Sequence, residues 1–420
     1  MHPLRERRFL VLLALGFSAG VPLPLVAGQV LRQWFTESGL SLTDIGLTAL
    51  IGLAYSLKFL WAPALDAVAP PLTAWLGRRR GWLLLIQPLL VLTILATGLS
   101  DPAGAPLTTA ALAALVAFLS ASQDIVVDAH RIEILGEKEQ GYGLACYVWG
   151  YRLALLASGG GTLWLVGALG WGGAYAYAAA LMLVGVAATL ASREGPARPA
   201  PALSWAGRLS TSVVQPFADF MRRPYWLAIL LFIALFKLGE ALAGVMTTPF
   251  YRSLGFSRED VAAVGTVFGL FATLGGALAG GWVVARLGTA RALVLTGLGQ
   301  MLSNLLYVAL AHAGHSLPML WLQVGVENFT DGLADAAFVT YLSGLTSRAF
   351  TATQYALLSS LAAVPLRTLG AFSGTLAQSL GWPGFFLMTT AAALPAMVIM
   401  LFLLWRLPPA EPARPVEPLA

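Results

Sequence analysis

Charge is what this chain has least of. Only 11% of its 420 residues are Asp, Glu, Lys or Arg, against about 25% in an ordinary soluble domain. That shortage excludes a soluble globular protein. Lysine is nearly missing: Lys58, Lys138 and Lys237 are followed by Phe, Glu and Leu, so the Gly-Lys-Ser/Thr of a P-loop does not occur. The HExxH zinc motif is absent as well. One cysteine, Cys146, leaves no intrachain disulfide and no Cys-rich metal site, and a buried, inert thiol is expected. His312 and His315 read as solvated histidines near an outer loop, not a metal pair. His130 falls at a helix end, where a partial positive charge suits the dipole. The net charge of +5 is carried mainly by arginine and points to membrane orientation, not to nucleic acid. No metal or organic cofactor is called for.

What the chain has in abundance is apolar sequence, 58% of its residues. Windows of roughly 20 residues, enough to cross a bilayer, fall at about 9–31, 43–65, 82–99, 107–129, 143–166 and 171–192. A second set falls at about 226–250, 258–284, 291–311, 318–343, 352–378 and 383–405. The N-terminus is basic and then apolar as far as Arg32, too long for a signal-peptide core and long enough to span, so it is read as the first transmembrane helix. With the N-terminus inside, Arg5, Arg7, Arg8, Arg78, Arg79, Arg80, Arg131, Arg193, Arg222, Arg223 and Arg406 lie on the cytoplasmic side. Only Arg32, Arg252 and Arg258 lie outside. The positive-inside bias therefore places both termini in the cytoplasm.

The two sets repeat one another. Ser41-x-x-Asp44 introduces the second helix and Ser257-x-x-Asp260 the eighth, each a capping-box variant. Asp124 and Asp128 in the fourth helix correspond to Asp331 and Asp335 in the tenth. This is the pattern of an all-α polytopic membrane protein with the major-facilitator fold, about twelve transmembrane helices in two six-helix bundles. The expected organisation is an N-terminal bundle over 1–192 and a cytoplasmic linker with an amphipathic helix over 193–225. A C-terminal bundle over 226–406 and a disordered cytoplasmic tail over 407–420 follow. The glycine-rich GLFATLGGALAGG, 269–281, suits close helix approach, and Pro22, Pro24, Pro249 and Pro365 suit kinks.

Ionisable residues inside spans are costly and face a bundle interior or wet cavity. Counted from the helix ends at about 1.5 Å per residue, Asp124, Lys58 and Arg152 lie roughly 9–13 Å deep and are expected to meet. Lys237 and Asp331 lie near roughly 18 Å, and Glu327, Glu240 and Arg367 near roughly 22–24 Å, which with Asp335 makes a second charged cluster near the middle. Structural pairing explains any one of these residues; a cavity for a polar or ionic solute explains the set together. A carboxylate beside such a cavity can also carry a proton. Asp128 pairs with Arg131 as part of a cytoplasmic gate or joins the inner cluster. Paired charges argue against the repeated rings of a channel, and no catalytic constellation stands out, which leaves a secondary transporter and not an enzyme.

Long ordered strings are similar to the AmpG-type muropeptide permeases. They are YSLKFLWAPALD (55–66), GRRRGWLLLIQ (77–87), SASQDIVVDAHRIEIL (120–135), YVWGYRLALLASG (147–159), FKLGEALAGVMTTPF (236–250), ENFTDGLADAAFVTYLSGL (327–345) and FTATQYALLSSLAAVPLRTLGAFSG (350–374). The resemblance implies proton-coupled import of anhydro-muropeptides across the bacterial inner membrane by a monomer, feeding peptidoglycan recycling and β-lactamase induction. It also implies roles for residues that match the family pattern: Lys58, Asp66, Arg78, Arg79, Arg80, Gln123, Asp124, Asp128, Arg131, Arg152 and Lys237, with Glu240 and Glu327 at positions of Asp or Glu. Asp331 and Asp335 depart from it. Asp124 is expected to couple proton or substrate with Lys58, Arg152, Gln123 and Asp128 beside it. Asp66, Arg78, Arg79, Arg80 and Arg131 are expected to form a cytoplasmic gate. Arg152, Lys237 and Arg367 suit the solute's carboxylates. Trp149 and Tyr151 stack on sugar rings or pack against lipid and core. A permease of the same branch for another bulky anion, such as an iron-siderophore or a CoA ester, and a membrane solute sensor are the alternative readings.

Overall fold

A chain with so few charges must satisfy its backbone internally, and in lipid that means helices. The computed structural model describes residues 6–68, 70, 73–135, 139–194, 215–345 and 351–406. Nine stretches among them are helical, long and apolar enough to cross a membrane. The 49-residue stretch Gly143–Ala191 is two crossings, because Gly170 breaks it at φ 67° and ψ 178°. Leu317–Gly344 is a further long helix. Thr351–Gly370 runs on toward Ser373 and ends at Gly381, where φ is 66°, before the last crossing reaches Arg406. Among the described residues the sum is twelve spans, the number the hydropathy windows give. The terminal residues of the first and last spans therefore lie at one end of the bundle, called the terminal end below; the other is the far end.

Both span-reversing glycines sit in the same local sequence, LGWGG at 169–173 and LGWPG at 380–384. Their backbone conformation is one that a β-carbon resists. Each turn then drops aromatic rings onto the first span of its own half. Trp171 stacks on Trp34 at 5.2 Å and Tyr175 lies at 5.1 Å from it. Trp382 and Phe386 lie at 5.3 Å and 4.8 Å from Phe250. The same device therefore closes both halves. Both Ser-x-x-Asp starts also hold. Ser41 accepts the Asp44 N–H, and Ser257 forms the complete reciprocal box with Asp260.

Glycine sets the closest helix contacts. A Cβ on Gly150 would stand 2.8 Å from the Phe17 nitrogen, and one on Gly276 would stand 2.8 Å from the Phe329 carbonyl carbon. So the first and fifth spans touch backbone to backbone, as do the eighth and tenth. Between helices in lipid this close van der Waals approach replaces the hydrophobic drive that water supplies elsewhere. Large apolar side chains point outward instead, among them Leu92, Trp164, Leu278 and Val398; such a belt suits lipid and would aggregate in water. Of the prolines, Pro22 and Pro24 lie where the first span breaks into Arg7–Gly20, Pro22–Val26 and Gln29–Glu37. Pro249 and Pro365 are carried inside continuous helices. Cys146 is free and buried. Of the expected linker, the described part holds a short helix, Gln215–Met221; residues 195–214 and the 407–420 tail lie outside the described residues.

Gly150→Leu forces two backbones apart, and overpacking of this kind costs about 1–3 kcal/mol. Its unfolding temperature in detergent is expected to fall clearly. Gly281→Leu, where a Cβ would meet nothing within 4 Å, is expected to leave that temperature unchanged.

Candidate functional site

A cavity of about 430 Å³ lies between the halves. The first half contributes Pro24, Gln29 and Arg32 from the broken first span; the second contributes Tyr251, Glu327 and Arg367. A neighbouring cavity of about 310 Å³ is bordered by Arg32 and Arg367 again, together with Glu240. Hydroxyls of Thr247 and Tyr307 face each other at 3.3 Å in the wall of the larger one. Glu327 accepts from the Asn328 side chain at 2.8 Å.

Arg32 overturns an expectation. The sequence placed it outside the membrane, but the first span runs on to Glu37. Five further residues of helix set Arg32 roughly 7–8 Å inside the far end. There its guanidinium donates to the Gly244 carbonyl of the other half at 2.9 Å.

The expected coupling group is only partly assembled. Lys58 Nζ lies 3.6 Å from Asp124, whose other oxygen is buried without a hydrogen-bond partner. Gln123 is wholly buried and accepts from Ser18 at 3.3 Å. Arg152 does not join this pair: among the described residues no ion pair within 4 Å links it to Asp124. Asp128 lies 3.7 Å from Arg131 and is almost half exposed. Tyr151 packs near Tyr147 and faces Arg367 electrostatically. Trp149 is 62% exposed, which favours its lipid reading over sugar stacking.

In the second half the structure divides the predicted cluster. Lys237 Nζ lies 2.5 Å from Asp331, 2.5 Å from Asp335 and 2.9 Å from Glu240. Gln300 donates to Glu240 at 2.5 Å and to Asp331 at 3.2 Å. One ammonium and one amide thus hold three carboxylates. Glu240, Glu327 and Arg367 border the cavities; Lys237, Asp331 and Asp335 border neither.

At the terminal end, Arg79 pairs with Glu133 at 2.8 Å, and the backbone N–H groups of Arg79 and Arg80 donate to Glu194 at 2.7 Å and 3.1 Å. Arg80 also donates to the Thr189 carbonyl. These ties join the third, fourth and sixth spans, all of one half. Arg78 and Arg131 also have partners, and the Asp66 side chain lies outside the described residues. Glu133 and Glu194 were missed from sequence. The signal was available: both are acids beside the expected terminal end, facing the GRRR loop. His130 lies near the end of the fourth span, as expected, and is fully buried there.

Polar contacts that cross between the halves cluster toward the far end. Arg258 and Arg252 lie 2.5 Å and 3.8 Å from Glu37. Gln29 bonds to Thr266, and Thr43 to Thr375 at 3.2 Å. A Cβ on Gly46 would stand 2.7 Å from the Ala371 carbonyl oxygen, so the second and eleventh spans also touch there. The far end is closed, whereas Asp335 and Asp128, toward the terminal end, keep 48% and 44% of their side-chain surface exposed.

Two bundles of six spans with a polar cavity between them define a membrane carrier. The sequence matches the Major Facilitator Superfamily over residues 8–366 and 238–419. It is 42% identical over 399 residues to the "Anhydromuropeptide permease" of Escherichia coli (strain K12), covering 94% of this chain and 80% of that one. It is 34% identical to "Putative transporter AmpG 4" of Rickettsia conorii, covering 95% and 97%. A solved POT family transporter in complex with 5-aminolevulinic acid shares the fold at TM-score 0.70 and 15% identity, over 94% of this chain and 95% of that one. The chain belongs to the Major Facilitator Superfamily, in its AmpG-type branch, and is a multi-pass membrane transporter, not an enzyme.

Removing one partner of a buried ion pair costs about 3–5 kcal/mol, because the other is left uncompensated. Lys237→Met strands three carboxylates, so its unfolding temperature in detergent is expected to drop sharply. Adding Asp331→Asn to it is expected to recover part of the loss. An unchanged temperature in the single variant would show that water, not Lys237, neutralises the cluster.

Proposed function

We propose that this protein imports anhydromuropeptides across the bacterial inner membrane together with protons, by alternating access, with both termini in the cytoplasm. The observation that carries this reading is the cavity between the halves. It combines two guanidiniums, a carboxylate and several hydroxyls in a volume of about 430 Å³, within the range of small-molecule sites. An anhydromuropeptide carries sugar hydroxyls, amides and carboxylates, and each finds a partner type there. The named activity of the Escherichia coli relative supports the same solute.

In this reading the halves, 1–192 and 226–406, rock against each other about the cavity between them. The far-end ties of Glu37 and Thr43 release as the terminal end closes. Arg78, Arg79, Arg80, Arg131 and Asp66 then serve the terminal-end gate, with Glu133 and Glu194 holding the arginine loop in place. Asp124 is the coupling acid. It sits beside Lys58 at 3.6 Å and has one unsatisfied oxygen, so gaining a proton changes both its hydrogen bonding and its hold on the lysine. One proton moving inward through about 100 mV releases roughly 2.3 kcal/mol, enough for about a fortyfold solute gradient.

Uptake of labelled anhydro-disaccharide-peptide into membrane vesicles tests the proposal. Saturable accumulation is expected, and only with an inward proton gradient. Asp124→Asn is expected to lose that accumulation while still exchanging labelled for unlabelled solute. Accumulation at the wild-type level in Asp124→Asn would remove Asp124 from the coupling role, and no uptake by wild type would remove the solute.

A further inference from the structure

Among the basic residues within the spans, Lys58 and Lys237 sit on carboxylates. Arg32 and Arg367 do not, although they border the same two cavities. Arg32 comes from the first span and Arg367 from the eleventh, so the two belong to opposite halves. Among the described residues, Arg32 makes hydrogen bonds only to backbone carbonyls, those of Gly244 at 2.9 Å and Ala27 at 3.5 Å, and its Nε is buried without a partner. The Arg367 guanidinium lies against Gly52 with its Nη1 nearest, where a Cβ would collide with it. The glycine thus leaves a seat for the guanidinium that any side chain would fill.

Two guanidiniums that border the same two cavities repel each other. Such a pair is stable only beside water or an anion. Glu327 does not supply the anion: its hydrogen bond is to Asn328, and among the described residues no cation lies within 4 Å of it. It remains an acceptor for hydroxyl or amide donors. The cavity is therefore two-ended, cationic at one side and accepting at the other. Planar guanidiniums bind a carboxylate through paired N–H donors.

We propose that Arg32 and Arg367 together form a carboxylate-binding subsite that spans the two halves and selects for an acidic solute. A carboxylate held there neutralises the repulsion between the halves as they close around it. Lys237 is committed to its own three carboxylates and Arg152 borders neither cavity, so neither serves this end of the solute. The inference rests on the muropeptide reading for its choice of ligand.

The test measures binding of N-acetylglucosaminyl-1,6-anhydro-N-acetylmuramic acid and of its neutral carboxamide to the purified full-length protein in detergent. Wild type is expected to bind the acid at least about tenfold more tightly, a difference of roughly 1.4 kcal/mol. Arg32→Gln and Arg367→Gln are expected to lose that preference and keep the carboxamide affinity. Gly52→Ala, which crowds Arg367 without removing its charge, is expected to weaken the preference as well. Equal binding of acid and carboxamide by wild type overturns the subsite and leaves the carrier reading standing. Binding of neither overturns the muropeptide reading, and this inference with it. If the arginine variants bind neither ligand, Gly52→Ala decides: a full acid preference overturns the subsite, and a lost one supports it.

Discussion

An ionised side chain loses its hydration on entering hydrocarbon, and only a counter-charge or retained water restores what is lost. The arrangement of this molecule follows from that constraint. Lys237 gathers Glu240, Asp331 and Asp335 around one ammonium. Arg79 is answered by Glu133 and the loop that carries it by Glu194. Glu37 answers Arg252 and Arg258 at the far end. Where no counter-charge is provided, at Arg32 and Arg367, there is a cavity instead. In the proposed reading, the cations left for the solute are those that the protein itself does not pair with an acid.

The two halves share a frame and differ in what they place on it. The far-end serine caps and the glycine–tryptophan reversals recur at matching positions. The paired aspartates recur too, but to different ends. In the first half Asp124 has one lysine at 3.6 Å and Asp128 turns to Arg131; in the second, both equivalents converge on Lys237. On the same frame, one half carries an acid with a single lysine beside it and the other gathers its acids on one ammonium.

Much of this was legible in the sequence, because lipid imposes long periods. Apolar windows gave the twelve crossings, and the repeated spacing of acids gave the relation between halves. Helix rise was enough to bring Lys237 to Asp331 and to set Glu327 and Arg367 at the level of one cavity. Departures arose where local geometry, not composition, decides. Arg32 was assigned to the outside because the apolar window ends near it, while the helix continues through polar residues to Glu37. Arg152 was matched to Asp124 by depth, but depth says nothing of the direction in which a side chain leaves its helix. Trp149 and Tyr151 are two residues apart, yet one is exposed and the other partly buried. The pairing of Glu133 and Glu194 with the arginine loop needed the tertiary approach of the sixth span.

The aromatic reversals carry one more consequence. Trp171 finds its partner on Trp34 and Trp382 finds its partner on Phe250, so each six-span unit finishes its own folding with rings drawn from itself. Among the described residues, no ring–ring contact of Trp171, Tyr175, Trp382 or Phe386 crosses between the halves. The seam between them can then part and re-form as a joint between two prefabricated bodies, without either having to melt.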